Sequence, residues 1–370
     1  MSFTLCIPTK NRPEFVERQL RYYAQTGWRH AIFVGDASDP ALAQRTQQVC
    51  EQFQQTLRVR HFDHAGLNVM ACLEALGRSA ESPYCSWVSD DDFLCTRGVE
   101  ACLEFLERHP DYAAAQGVGL IFQTEGSKPY GPIGNVTGYG RSSLEEPEAA
   151  QRLRKHVAAG MPSLHTAVRR TEAFVEMVGG FGHLRGARQG FIFDDLFPHW
   201  VGAIQGKTKG LDGLYIVRHA HDGIYRQMNA FEWMTDPLWQ PTYRAFQDRV
   251  AQMLMREDGL SREQAVAMFK EIAWPYLAGA LSSSWRNQIR SAPRAASPVR
   301  SWIQRVPVAR AAARSLRAMV QRHREPLSLA ALRHPSSSYH ADFVEIWRVV
   351  TGAGKTPAAE LAQLQAAEVS

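Results

Sequence analysis

Residues 87–94 read Trp87-Val88-Ser89-Asp90-Asp91-Asp92-Phe93-Leu94. An apolar, β-prone run from Tyr84 to Val88 ends in three consecutive carboxylates and resumes as Phe93-Leu94, so the acids fall where a buried strand stops. Like charges on neighbouring side chains repel more strongly as solvent is excluded. The stretch therefore calls for a bound cation or a well-solvated turn.

The preceding residues settle the architecture. Phe3 to Ile7 reads as a strand, followed by Asn11-Arg12-Pro13-Glu14, a cap with an early proline and a first-turn acid, and a helix to about Gln25. A second strand at 31–34 ends in Gly35-Asp36, a helix covers about 40–54, a third strand 57–62, and a further helix 67–77 leads to the strand at Tyr84. Such βαβαβαβ order predicts an α/β fold with a mostly parallel sheet and helices on both faces, whose ligands bind at the carboxyl ends of the strands. Asp36 and the three aspartates all fall at such ends. Beyond Thr96 the pattern predicts a helix to His109, a strand at 112–122, a glycine-rich loop at 126–140, a helix at 147–159 and strands at 164–168 and 214–217. After about Phe231 helical periodicity dominates.

The bulk numbers agree with a globular chain: 370 residues, 45% hydrophobic, formal charge +5. The first residues lack a basic n-region and a long apolar run, which predicts a cytoplasmic protein. The longest uncharged run, Ile272 to Trp285, is too short for a spanning helix. All six cysteines lie in the first third without CxxC or zinc spacing and are expected to be free, buried thiols.

Several motifs together carry a family likeness. Ile7-Pro8-Thr9-Lys10-Asn11-Arg12 after the first strand, Gly35-Asp36-Ala37-Ser38 after the second and Ser89-Asp90-Asp91-Asp92 after the fourth resemble the nucleotide-sugar-binding half of a GT-A glycosyltransferase of the family 2 type. Gly160-Met161-Pro162, Val168-Arg169-Arg170, Gly179-Gly180-Phe181 and Phe193-Asp194-Asp195-Leu196 resemble its acceptor half. The resemblance implies a Rossmann-like GT-A domain, with a nucleotide-sugar half at 1–110 and an acceptor half at 111–230, before a helical C-terminal region at 231–370. It implies that Pro8, Thr9, Lys10, Asn11, Arg12, Asp36, Ser38 and Asp90 bind the nucleotide sugar. Asp90, Asp91 and Asp92 then form the DxD motif that holds Mn or Mg against the diphosphate, Asp91 and Asp92 foremost; hard oxygen ligands suit either ion. Asp195, beside Asp194, corresponds to the general base of inverting members. His219 and His221, alternate residues after the strand at 214–217, share one side of an extended segment and are both metal candidates.

The implied activity is single transfer from a nucleotide sugar, UDP-linked by preference, to a glycan or polyprenyl-linked glycan. No Gln-x-x-Arg-Trp of the processive synthases follows the acidic pair. Two alternatives are a catalytically silent nucleotide- or glycan-binding subunit and a sugar-phosphate nucleotidylyltransferase, though the glycine-rich loop of the latter is missing after the first strand. Between Arg286 and Arg324 lie ten arginines and no acid, interleaved with Ile289, Trp302, Ile303 and Leu316. This basic segment suits an anionic membrane surface better than nucleic acid, and would place the protein peripherally on the inner face of the cytoplasmic membrane.

Overall fold

A computed structural model describes residues 2–124, 126, 128–179, 192–221, 230–291 and 328–352, with 192–195 and 287–291 as backbone alone. The first half alternates as read from the sequence: β1 (Phe3–Thr9), α1 (Pro13–Gln25), β2 (Ala31–Asp36), α2 (Pro40–Phe53), β3 (Arg58–Asp63), α3 (Val69–Arg78), β4 (Tyr84–Trp87), β5 (Phe93–Leu94) and α4 (Thr96–Arg108). Pro13 opens α1 and Asn68 caps α3, its side chain accepting from Ala71 N at 2.9 Å. Then follow β6 (Tyr112–Gln123), β7 (Asn135–Tyr139), α5 (Ala149–Ala158), β8 (Val168–Arg170), α6 (Thr171–Gly179), α7 (Ile192–Ile204) and β9 (Lys207–Ala220). The rest is helical: α8 (Ala230–Thr235), α9 (Trp239–Asp258), α10 (Arg262–Ser291), α11 (Leu329–Arg333) and α12 (His340–Thr351).

One mixed sheet runs β3-β2-β1-β4-β8-β6-β9-β5, with β7 paired to β6. Strands β1, β2, β3, β4, β6 and β9 point one way, while β5, β7 and β8 are antiparallel to their neighbours. Helices cover both faces because the strands alternate. Phe3, Leu5 and Ile7 of β1 enter a core with α1, α2, α4 and α12, while Cys6 faces a second core with α3, α5, α6, α7, α9 and α10. The helical stretch after residue 230 thus divides: α8 to α10 join the second core and α11 and α12 the first.

Three local expectations change. The stretch expected to loop at 126–140 contains β7, a short edge strand whose glycine-flanked residues give little β signal. The strand expected at 164–168 begins only at Val168, since Ala167 N bonds Leu164 O in a turn. Strand β9 extends well before Leu214, through a polar, glycine-containing half that bulges against β6. All six cysteines are free and buried, and no helix among the described residues is long and apolar enough to cross a membrane.

Candidate functional site

Parallel pairing brings the ends of β1, β2 and β4 together. Thr9 stands beside Asp36 in register, and Val88 N still bonds Cys6 O as the chain leaves β4 for the aspartates. The loop after β1 is fastened to the loop after β2. Asn11, at φ 59°, donates its backbone N–H to Ser38 Oγ at 2.6 Å, and its amide exchanges bonds with the Asp39 carboxylate and backbone N–H. Asparagine tolerates this left-handed conformation better than most residues. Lys10 and Asn11 are exposed, Pro8 and Arg12 half-buried.

Asp36 is fully covered, accepting from Ser38 N at 2.9 Å and facing His61 Nε2 at 3.2 Å. Burial alone would raise its carboxyl, but bonds from His61, Ser38 and Thr46 outweigh this and hold it below the usual range. Gly35 is required here, because a Cβ would fall 2.4 Å from Cys72 Sγ on α3.

The three aspartates are buried, not solvated: each is at most 8% exposed. Their charge is met by arginines from elsewhere in the chain. Arg12 lies 2.9 Å from Asp90 and 2.6 Å from Asp91, Arg218 Nε donates to Asp92 at 3.0 Å, and the buried Arg18 donates to the Asp91 carbonyl at 2.5 Å. Gln19 bonds the carbonyls of Ser89 and Asp92, so α1 clamps the acidic turn by its backbone. Their acidities diverge. Burial pushes Asp90 up to about 7 against the pull of Arg12, and Asp92 up to about 6 against Arg218. Asp91 stays below the ordinary range, the effect of burial being outweighed by His221, Arg12 and Arg18.

The two histidines after β9 separate in role. His221 Nε2 faces Asp91 Oδ2 at 3.1 Å and its ring stacks on Phe15. His219 is enclosed: Nδ1 meets Arg18 at 3.0 Å, Nε2 meets Thr124 at 2.6 Å, and Phe122 stacks on its ring. Both ring nitrogens of His219 are therefore occupied by Arg18 and Thr124, whereas His221 turns its Nε2 to Asp91. Among the described residues no three His, Cys, Asp or Glu side chains form a metal cluster. The pair Asp91 and His221 still fits a hard divalent ion, because neighbouring ligands of an octahedral ion with about 2.1 Å bonds stand about 3 Å apart, and such ions keep water and phosphate oxygens as their other ligands. Asp194 and Asp195 lie in the first turn of α7, and their side chains are outside the described residues.

Arg18, Gln19 and Arg218 are site residues that sequence reading passes over. Arg12, Phe15 and Arg18 follow one another at helical spacing, with both guanidiniums within 5 Å of the Phe15 ring centroid, and that spacing was the available signal. Arg218 offered none beyond its neighbours His219 and His221.

No family model matches the chain, and no curated protein matches it in sequence. Solved structures resemble it distantly. S. aureus TarS overlaps with 14% identity and a TM-score of 0.44 over 74% of this chain, which spans 43% of the TarS chain. TarS 1-349 in complex with UDP-GlcNAc gives 14% and 0.46, covering 74% of this chain and 72% of that one. The mannosyltransferase PcManGT from Pyrobaculum calidifontis, in complex with GDP-Man and Mn2+, gives 10% and 0.41, covering 95% and 86%. Overlaps of this size say nothing of the reaction.

Proposed function

We propose that the chain is a GT-A-type glycosyltransferase that moves one sugar, with inversion, from a nucleotide donor to a glycan or lipid-linked glycan hydroxyl. What carries the reading is the meeting, at the carboxyl ends of three parallel strands, of an ionised Asp91 facing His221 and a second carboxylate, Asp36, hydrogen-bonded beside the β1 loop. Asp36, fully covered, would act by fixing Ser38 and His61 beside the β1 loop where the nucleoside would lie, and Arg12 is available to a phosphate oxygen. Asp91 and His221 would hold the divalent ion, Mn or Mg. Bound there, the ion would neutralise charge on the departing nucleoside diphosphate. Asp195 takes the proton of the attacking hydroxyl, a role worth about 10²- to 10⁴-fold. UDP is the favoured nucleotide on the family resemblance.

One observation favours a variation. Arg12, Arg18 and Arg218 already neutralise the acids, so arginine alone could meet the diphosphate. Titration calorimetry with UDP, GDP, CMP and dTDP, each with and without Mn, separates the two. Binding of one nucleotide only with Mn, lost in Asp91→Asn, is the expected result; metal-independent binding supports the arginine variation, and no binding to any of them by the folded protein refutes the transferase reading. An acceptor carried at an anionic membrane is supported by the exposure on α10 of Trp274 at 56% and of Trp285, next to the basic segment, at 57%. Flotation with phosphatidylglycerol vesicles at low salt tests this, and protein left at the bottom of the gradient refutes it.

A further inference from the structure

A second polar assembly crosses the core on the other face of the sheet. His156 on α5, His199 on α7 and His165 in the turn before β8 are joined ring to ring. His156 Nε2 and His199 Nδ1 are 3.1 Å apart, His199 Nε2 and His165 Nδ1 2.8 Å, and Ser142 Oγ ends the row 3.0 Å from His156 Nδ1. His156 is fully buried, His199 is 8% exposed and His165 is half-buried. Buried Arg169 fixes the turn by donating to Leu164 O at 2.9 Å, its guanidinium lying against Gly202 where a Cβ would come within 2.4 Å.

The closed end sets the direction of the row. We assign the hydroxyl hydrogen of Ser142 to Pro162 O at 3.3 Å, a carbonyl that can only accept, which makes Ser142 accept from His156 Nδ1–H. His156 Nε2 must then accept from His199 Nδ1–H, and His199 Nε2 from His165 Nδ1–H. What remains is a bare lone pair on His165 Nε2, which has no partner among the described residues. The ring of His165 packs 5.1 Å from that of Trp87, whose buried Nε1–H also lacks a partner. The indole N–H is closed to a ligand, but the Nε2 of the half-buried His165 is an open acceptor of the kind a hydroxyl donates to.

All three imidazoles are held neutral. Burial, then Arg169, lowers His156 to about 4; burial, then Arg218, Arg169 and His156, lowers His165 to about 3; burial and the other two rings, then Arg169 and Arg218, push His199 well down. Arg218, which holds Asp92, touches none of the three rings and bears on His165 and His199 only through its charge.

We propose that His165 binds a hydroxyl of the acceptor through its Nε2, which the Ser142–His156–His199 row keeps unprotonated, making this turn the acceptor's polar subsite. The proposal rests on the transferase reading for the identity of that hydroxyl as a sugar's. His199 and His156 are positioning residues that act through the tautomer of His165.

The test uses nitrogen NMR of the full chain labelled at histidine, at pH 7.5, titrated with the methyl glycosides of glucose, galactose, mannose and N-acetylglucosamine, and separately with the nucleotide panel. The expected result is His165 in the Nδ1–H tautomer, its Nε2 resonance moved by at least one glycoside. His165→Phe should weaken that glycoside about tenfold, the scale of one lost hydrogen bond, with nucleotide affinity unchanged. His199→Phe should let His165 populate both tautomers, which a purely structural role would not do. An Nε2–H tautomer in the wild type, or no response to any glycoside, overturns the subsite. A glycoside response without nucleotide binding upholds the subsite and refutes the transferase reading.

Discussion

Two buried polar regions of this chain are built on opposite plans. At 90–92 three acids are adjacent in sequence and are met by arginines from the loop before α1, from α1 and from β9. At 156, 165 and 199 three neutral rings come from three separate elements and satisfy one another by hydrogen bonds. Burying a charge requires a counter-charge, whereas burying a neutral polar group requires only that its donors and acceptors be met. The first region is therefore vulnerable to loss of a partner, and the second to a change of protonation.

Asp195 lies one helical turn before His199, and its replacement tests whether the two regions serve one reaction. Asp195→Asn should lower sugar transfer, followed as release of nucleoside diphosphate, about 10²- to 10⁴-fold with melting temperature and nucleotide binding unchanged. Full activity would remove the base from the mechanism and cut the link between the regions.

Arg18→Met strikes the charged plan. It removes a buried guanidinium that meets the Asp91 carbonyl, the Pro129 carbonyl and His219, and should cost about 3 to 5 kcal/mol in urea unfolding, as breaking a buried ionic network does. His199→Phe strikes the neutral plan and should cost about 1 to 3 kcal/mol, the cost of leaving buried groups unmet. Equal losses in the two variants would mean that the charged and neutral regions are equally costly to break.

The smallest effect is the pH slope. In the unfolded chain each histidine titrates near about 6.5, while the folded values of His156 and His165 are about 4 and about 3. Between those limits the unfolded state binds more protons, so the stability supplied by the row is complete above about pH 6.5 and lost as pH falls through 4. His199→Phe should lessen the slope of unfolding free energy against pH by at most about 1.4 kcal/mol per unit in that window. An unchanged slope would mean that the ring is already charged in the native protein.

What could be read from sequence follows the same division. The alternating elements, their order and the acidic turn were legible, because period-2 and period-3.6 patterns and a run of aspartates are local signals. The counter-ions were not, since nothing in residues 13–25 marks Arg18 as buried beside residue 91. The histidine row was invisible for a stronger reason: His156, His165 and His199 look like isolated polar residues until β8 and α7 have been packed. The arginines beside the buried aspartates were a third source of positive charge besides cation and water, and no local signal announced them.

The last described helix carries a consequence for synthesis in the cell. Phe343, Ile346, Val349 and Val350 of α12 share a core with Phe3, Leu5 and Ile7 of β1, and Val350 O receives the backbone N–H of Gly131. At about 5–20 residues per second, the ribosome makes α12 some twenty seconds to a minute after α1, the helix it packs against. The first core therefore closes in two stages, with α1, α2 and α4 covering β1 early and α12 sealing the outer side of α1 only when almost all of the described chain has been made.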